Sequence, residues 1–401
     1  MKLIIFIENN QYGGLNTFCV NLVNSWPNGG DKFLIICNNG HPGKTNLKDS
    51  IRRKGTEFIF HNIPISWEFS RKYLRFIPYK YSRLFQPFLR ILFYKLQLWM
   101  ISNLFKKNKA DNLIVVNGGY PGGETCRIAN IAWFLSNNKK SIHNFHNYAV
   151  KPRYGFGWFE NKLDKLTLES TKCFVTVSNS CLESLKNRKI LKNIKNKRVI
   201  YNGVEPVYSS SSKKIRKELG IGNAPLCSML ANYEPRKGHK FILKAFKIVL
   251  DKFPNANLIF AGGGSEKEMD LIRKYKKEIV DSKNIHILNF LPGYDLINSS
   301  DIILIGSQEF ESFGLTAVEA MFYKKPIVST NVGGLKEVIG KNGAAGLTVD
   351  RDNYKEFAKN VIALLENNSL SMEISLFGYQ RANKFFTAKR MSSDYLKSLQ
   401  E

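Results

Sequence analysis

Acidic residues are scarce in this sequence: 33 Asp and Glu stand against 60 Lys and Arg, a net charge of +27 over 401 residues. The shortage is sharpest over residues 69–110, where there is no acidic side chain at all. Other absences narrow the possible classes. The six cysteines form no C-x-x-C pair and no metal-ligand spacing, and most sit in apolar contexts. Reduced, buried thiols in a cytoplasmic protein are therefore expected. No G-x-G-x-x-G follows a strand, so the dinucleotide fingerprint is missing. No zinc-finger, helix-turn-helix or RNP-like pattern accompanies the charge, so a nucleic-acid partner is not expected. The apolar start "MKLIIFI" is too short for a signal peptide, lacks a small-residue cleavage site, and reads as a first strand. The charge alone leaves four readings: a phosphate-rich substrate, an anionic membrane surface, nucleic acid, or a plain lean toward Lys, Asn, Ile and Phe.

What is present is the pattern of an ordinary globular protein, 43% hydrophobic and 23% charged, and long enough for two domains. Short apolar runs alternate with helical patterns. "KLIIFI", "KFLIIC", "TEFIFHNI", "NLIVVNGG", "KCFVTVS" and "RVIYNG" occupy the first half. "PLCSMLANY", "ANLIFAGGG", "NIHILNF", "DIILIGS" and "KPIVSTNVGG" occupy the second. Continuous apolarity over strand length predicts parallel strands buried on both faces, and the alternation predicts α/β layering. Two doubly wound α/β domains in tandem are the consequence, with an interdomain cleft between the carboxyl ends of their strands. The expected boundaries are 1–205 for the first domain, 206–224 for a linker containing four serines, 225–380 for the second domain, and 381–401 for a C-terminal helix able to pack on either.

The acid-free segment interleaves Arg71, Lys72, Arg75, Arg90 and Lys95 with Tyr73, Phe76, Phe85, Phe88, Phe93 and Trp99. Between Phe88 and Phe105 only Arg90 and Lys95 are charged. A helix of about 20 apolar residues crosses a bilayer, but two unpaired cations disfavour that. An amphipathic helix lying in the interface, its basic residues at lipid headgroups, is the expectation, against an ordinary helix with a broad apolar face.

Four glycine-bearing turns follow strands: Gly13-Gly14, Gly262-Gly263-Gly264, Gly333-Gly334, and the turn of "ANYEPRKGHKF", which carries Arg236 and Lys237. Each places backbone N–H groups or a cation where an anion binds at a helix start. The segment "EFESFGLTAVEA" holds Glu311 and Glu319, eight positions apart. Thr316 and Glu319 have capping-box spacing, so Glu319 reads either as a cap or as a working carboxylate.

In order and spacing these pieces resemble the retaining glycosyltransferases of family 4, which have the two-domain GT-B fold of two Rossmann-like domains facing a cleft. The resemblance covers nearly the whole chain and is densest over 199–350, through "VIYNGVE", "ANYEPRKGHKFILKAF", "ANLIFAGGG" and the E-x7-E block. It implies that Glu311 contacts hydroxyls of the donor sugar and Glu319 the ribose. Phe313, Gly314, Leu315 and Thr316 would offer backbone groups to the diphosphate, with Gly263, Gly13 and Gly14 in the adjoining turns. Lys237 would neutralise the departing diphosphate. Asn232 stands where the family often has an arginine, and Arg236 is its possible substitute. "SIHNFHNY" resembles the strand and loop bearing the family's cleft histidine, with His146 a better match than His143.

The implied reaction transfers a sugar from a UDP- or GDP-linked donor to a hydroxyl of a lipid-linked glycan, in capsule or lipopolysaccharide assembly. It would need no metal or other cofactor. The implied location is the inner face of the cytoplasmic membrane, bound peripherally through an anionic surface. The alternatives are a catalytically silent nucleotide-sugar-binding scaffold and, less favoured, a basic nucleic-acid-binding protein.

Overall fold

In the computed structural model, residues 1–10, 13–207, 212–340 and 343–401 are described. The chain forms two compact units, one of residues 1–203 with 388–401 and one of residues 204–387. Among the described residues each is an all-parallel α/β unit.

The first unit holds β1 (Lys2–Ile7), β2 (Lys32–Asn38), β3 (Thr56–His61), β4 (Asn112–Asn117), β5 (Ser141–Phe145), β6 (Thr171–Thr176) and β7 (Lys197–Val199), in the spatial order β3-β2-β1-β4-β5-β6-β7. Strand alternation divides its core. Leu3, Ile5 and Ile7 pack with Ile35, Val116, Met391 and Tyr395 on one face. Ile4 and Phe6 pack with Leu34, Val115, Ile101, Phe105 and Trp133 on the other. A strand buried on both faces has to be apolar at successive residues, which is why "KLIIFI" shows no polar alternation.

The second unit holds β8 (Leu226–Leu230), β9 (Asn257–Ala261), β10 (Ile285–Leu288), β11 (Ile302–Ile305), β12 (Ile327–Thr330) and β13 (Leu347–Val349), ordered β10-β9-β8-β11-β12-β13. Both orders reverse direction once, between β1 and β4 and between β8 and β11. In each unit the loops leaving its two strands flank a crevice of the kind in which doubly wound sheets bind ligands.

Two stretches differ from the boundaries read in the sequence. Residues 208–211 of the serine-rich segment lie outside the described residues. The rest of the expected linker includes a helix, Ser212–Glu218, whose Ile215 is buried with Ile221, Leu226 and Leu296. Arg216 of that helix donates to the Ser299 carbonyl and to Asp301, both at 2.8 Å. The C-terminal segment forms two helices, Asn368–Phe385 and Ala388–Gln400. The break between them is held by a parallel bridge from Thr387 to Val204 and a 2.8 Å bond from the Val204 N–H to the Phe386 carbonyl.

All six cysteines are free and buried, and burial pushes the Cys37 thiol up to about 12. Such thiols are inert at neutral pH.

Candidate active site

The second unit's site is built where β8 and β11 end. After β8 the chain turns through Pro235–Lys237 into Gly238, which begins the helix His239–Lys252 with φ 79°. A Cβ at Gly238 would lie 1.9 Å from the carbonyl oxygen of Gly306, just past β11. Glycine is required twice here, for the left-handed backbone and for the contact. That contact brings the Lys237 turn against the β11 loop, where the Gln308 N–H donates to the Arg236 carbonyl at 2.8 Å.

The consequence is an ion pair. Lys237 Nζ lies 2.6 Å from Glu311 Oε2, and Ser307 Oγ donates to the same oxygen at 3.2 Å. Glu311 is 8% exposed. Burial alone would raise its carboxyl, but Lys237, with smaller help from Arg236 and Ser307, outweighs burial and holds it below the usual range. At neutral pH this is a buried carboxylate against an ammonium, with the backbone of Glu311 fixed by the Gly334 N–H at 2.7 Å.

Arg236 points elsewhere. Its Nε is 2.6 Å from Glu234 Oε2 and its guanidinium stacks 5.1 Å from the Phe310 ring centroid. Asn232 Nδ2 is 3.5 Å from the other Glu234 oxygen, and a Cβ at Gly263 would sit 3.2 Å from Asn232 Oδ1. Asn232 and Arg236 are thus gathered around Glu234, with Gly263 beside Asn232.

The sequence suggested a capping box at Thr316 and Glu319; the structure corrects this. The helix Leu315–Phe322 starts earlier, with Gly314 at its N-cap (φ 99°) and no side-chain cap. Thr316 Oγ1 donates instead to the Leu230 carbonyl at the end of β8, at 3.3 Å. Gly314 is there because a Cβ would come 2.7 Å from Leu335 Cδ1. With no cap side chain, the first-turn N–H groups depend on other acceptors, the condition under which an anion is favoured there. Phe313 is buried edge-on to Phe386, so its ring is not presented to a ligand. Glu319 lies on the second turn, and burial raises its carboxyl to about 7. Its Oε2 is 3.7 Å from where a Gly293 Cβ would stand, so Gly293 leaves space beside it.

The remaining candidates belong to the first unit. Gly13 precedes the helix Gly14–Asn24, with no side-chain cap and open space at its Cα. His146 follows β5, edge-on to Phe18 of that helix at 4.3 Å. Its Nδ1 is 3.5 Å from Asn202 Nδ2, while its buried Nε2 has no hydrogen-bond partner among the described residues. Burial lowers the imidazole to about 3, so the ring is neutral. With the Asn202 amide as donor to Nδ1, Nε2 carries the proton and is free to donate. His143, by contrast, is a core residue: its Nδ1 is 2.6 Å from Asn130 Nδ2, and its ring packs near Tyr120 and Phe174. Sequence reasoning overlooked Ser307, Asn202 and Glu234. All three lie inside segments that stand out in the sequence, but nothing about their residue type marks them.

Two family models match the chain: "Glycosyltransferase Family 4" over residues 12–208 and "Glycosyl transferases group 1" over residues 211–381. The chain belongs to the GT-B glycosyltransferases. It is 29% identical over 201 residues to a D-inositol 3-phosphate glycosyltransferase of Corynebacterium glutamicum, a match covering 47% of this chain and 48% of that protein. The chain thus spans about half the length of these curated relatives. The fold agrees over far more. A glycosyltransferase from Rickettsia africae superposes with TM-score 0.77 at 19% identity, covering 100% of this chain and 97% of that one. Anabaena Alr3699/HepE, solved with UDP, gives TM-score 0.75 at 17% identity and covers all of both chains. Among the described residues of this GT-B glycosyltransferase, no group of three or more His, Cys, Asp or Glu could hold a metal ion.

Proposed function

We propose that this chain is a retaining glycosyltransferase that moves a sugar from a nucleotide-diphosphate sugar to a hydroxyl of a lipid-linked oligosaccharide. The observation that carries the reading is the buried Lys237–Glu311 pair at the β8/β11 crevice. On their own the two charges satisfy each other. When a donor enters, Lys237 turns to the diphosphate, and sugar hydroxyls replace it as donors to Glu311. As the sugar–phosphate bond breaks, negative charge grows on the leaving diphosphate, and a fixed cation with uncapped N–H groups at Leu315 and Thr316 lowers that barrier. Glu319 accepts from the ribose hydroxyls, Asn232, Arg236 and Gly263 flank the phosphates, and Gly13 and Gly14 adjoin the bound donor. His146 donates from Nε2 to a sugar hydroxyl. No metal or other cofactor is required in this scheme.

UDP is the nucleotide to test first, because the structurally similar Anabaena protein is solved with UDP and with UDP-glucose; GDP remains the alternative. Polysaccharide assembly at the inner face of the cytoplasmic membrane, with the protein held there peripherally, is the setting we propose. Among the described residues no helix is long and apolar enough to cross a membrane. The test is incubation of the purified chain with a panel of UDP- and GDP-sugars, with and without a lipid-linked acceptor extract. Stabilisation by one donor and acceptor-dependent release of its nucleotide are expected. Stabilisation without release by any acceptor would make the chain a binding scaffold.

A further inference from the structure

The helix Tyr79–Lys107 carries two apolar faces. Phe93, Gln97, Ile101 and Phe105 are buried, whereas Phe85, Phe88, Leu92, Leu96 and Trp99 are exposed at spacings of three and four. A stripe of that spacing faces one side of a helix. From Tyr81 to Trp99 it runs about 27 Å. An exposed apolar surface of this kind marks a docking site.

A second element extends it. The loop over 150–156, with the first turn of the helix Gly157–Ser170 that continues it, exposes Val150, Tyr154 and Trp158, with Tyr154 99% and Trp158 63% accessible. Phe156 of the loop meets Phe88 of the helix edge-to-face at 5.1 Å, which joins the two surfaces. The loop stands on a fixed base: the Val150 N–H donates to the Tyr120 carbonyl at 2.8 Å, and the buried Arg188 donates to the Val150 carbonyl at 3.3 Å. Basic side chains surround both elements, Lys151 and Arg153 on the loop and Arg71, Lys72, Arg75 and Lys95 on or near the helix. No Asp or Glu occurs from 69 to 110.

We infer that these two elements form one docking surface for an anionic lipid bilayer, with Tyr154 and Trp158 at the headgroup level. Charge decides the occupant, since a basic rim around an apolar stripe complements anionic lipid and repels a second copy of itself. Topology gives the surface its use. The loop belongs to the connection that leaves the carboxyl end of β5 through His146, and the helix is reached from the carboxyl end of β3 through the short helix Ser66–Tyr73. In a parallel sheet those ends share one rim. The bilayer would therefore meet the first unit beside the rim that carries His146, where a lipid-anchored acceptor presents its hydroxyl. This last step rests on the proposed glycosyltransferase function; the docking itself does not.

The test is co-sedimentation of the full chain with vesicles of phosphatidylglycerol and phosphatidylcholine, or of phosphatidylcholine alone, at low and high salt. The variants are Tyr154→Ser/Trp158→Ser on the loop and Leu92→Ser/Trp99→Ser on the helix. Binding to anionic vesicles that weakens with salt is expected, and each pair should reduce partitioning about tenfold. Donor-induced thermal stabilisation should be unchanged, which shows that the variants fold. A loop variant that partitions like the parent would overturn the two-element surface. Concentration-dependent dimerisation abolished by the same substitutions, without vesicle binding, would overturn the bilayer in favour of a second copy. A parent chain that binds anionic vesicles and transfers no sugar to any acceptor, with binding lost in both variant pairs, would keep the surface and reject the function.

Discussion

The two units each bury ionised groups, and they do so in opposite ways. In the first, Arg127, Arg188, Glu160 and Asp164 form a closed square at the core. Arg127 lies 3.0 Å from both carboxylates, Arg188 lies 2.8 Å from both, and Tyr120 donates to Asp164 at 2.9 Å. Two guanidinium groups face two carboxylates, and burial, which would raise Glu160, is overcome by Arg127 so that its carboxyl falls to about 2. In the second unit the Lys237 ammonium and the Ser307 hydroxyl are among the partners of Glu311, and Glu319 has no ion pair among the described residues. A carboxylate whose acceptor sites are filled by fixed partners can do nothing but hold the structure. One whose cation is a lysine on a turn beside a crevice, or one left desolvated, is ready to exchange partners. Completeness of pairing, more than burial, separates a structural charge from a working one.

The largest effect that tests this difference is on stability. Asp164→Ala leaves two buried guanidinium groups against one carboxylate, and should cost about 3–5 kcal/mol. In a unit of this size that lowers Tm by about 10 °C, read by thermal melting. A variant melting within a degree or two of the parent would mean that the square is not what holds this core.

Next comes the pair itself. Glu311→Gln should reduce turnover by about a hundredfold or more while leaving Tm within a few degrees. Lys237→Ala should lose activity to a similar extent and also lower Tm, because Glu311 is then buried without its ammonium partner. In the double variant Tm should recover and activity should not. If the double variant melts as low as Lys237→Ala, the pair is structural, like the square.

These contrasts explain how far the sequence could be read. The apolar strands announced themselves because burial on both faces demands it. β5 reads "SIHNF" and was visible only through its resemblance to a family segment. Its polar residues are tolerated because Asn130 serves two of them, lying 2.6 Å from His143 Nδ1 and 2.6 Å from the Ser141 hydroxyl. No periodicity reports such a partner, brought in from a neighbouring helix. The same limit hid the square: Arg127, Glu160, Asp164 and Arg188 are scattered charges in the chain and meet only after folding. Lys237 and Glu311 stood out through the order and spacing of segments that resemble a family, with the glycine turn at Lys237 as a lesser sign. The misplaced capping box has a local cause, since Gly314 can start the helix in a conformation that Thr316 would not adopt.

Glu319 gives a smaller, pH-dependent prediction. Its folded pKa is raised to about 7 from an ordinary 4.5. The folded chain therefore holds the extra proton between those values, and this group's contribution to stability falls as pH rises through that window. Ligand binding runs the other way, since an ionised carboxylate accepts from both ribose hydroxyls and a protonated one does not. Affinity for a nucleotide sugar, whose diphosphate has no terminal group titrating near neutrality, should rise about tenfold from pH 6 to pH 8. Calorimetric titration at several pH values reads this directly. Glu319→Gln should flatten the profile, and a profile unchanged by that substitution would assign the titration to another group.

The smallest effect concerns Glu234, whose carboxylate holds Arg236 at 2.6 Å and reaches Asn232 at 3.5 Å. It places a negative charge beside the turn where a diphosphate would lie, and occupies the one guanidinium able to stand in for the arginine that Asn232 replaces. Glu234→Gln keeps the shape and removes the charge. Because the pair is partly exposed and screened, the gain is modest, about 0.5 kcal/mol, or two- to threefold in donor KM with kcat unchanged. Asn232→Arg should lower KM in the same direction, and further when combined with Glu234→Gln, where the new cation no longer meets a carboxylate. If Asn232→Arg alone captures the whole gain and Glu234→Gln adds nothing to it, Glu234 does not restrain Arg236. If neither substitution moves KM, phosphate binding depends on Lys237 and the helix start at Gly314, and the second unit's open pair is then sufficient without a second cation.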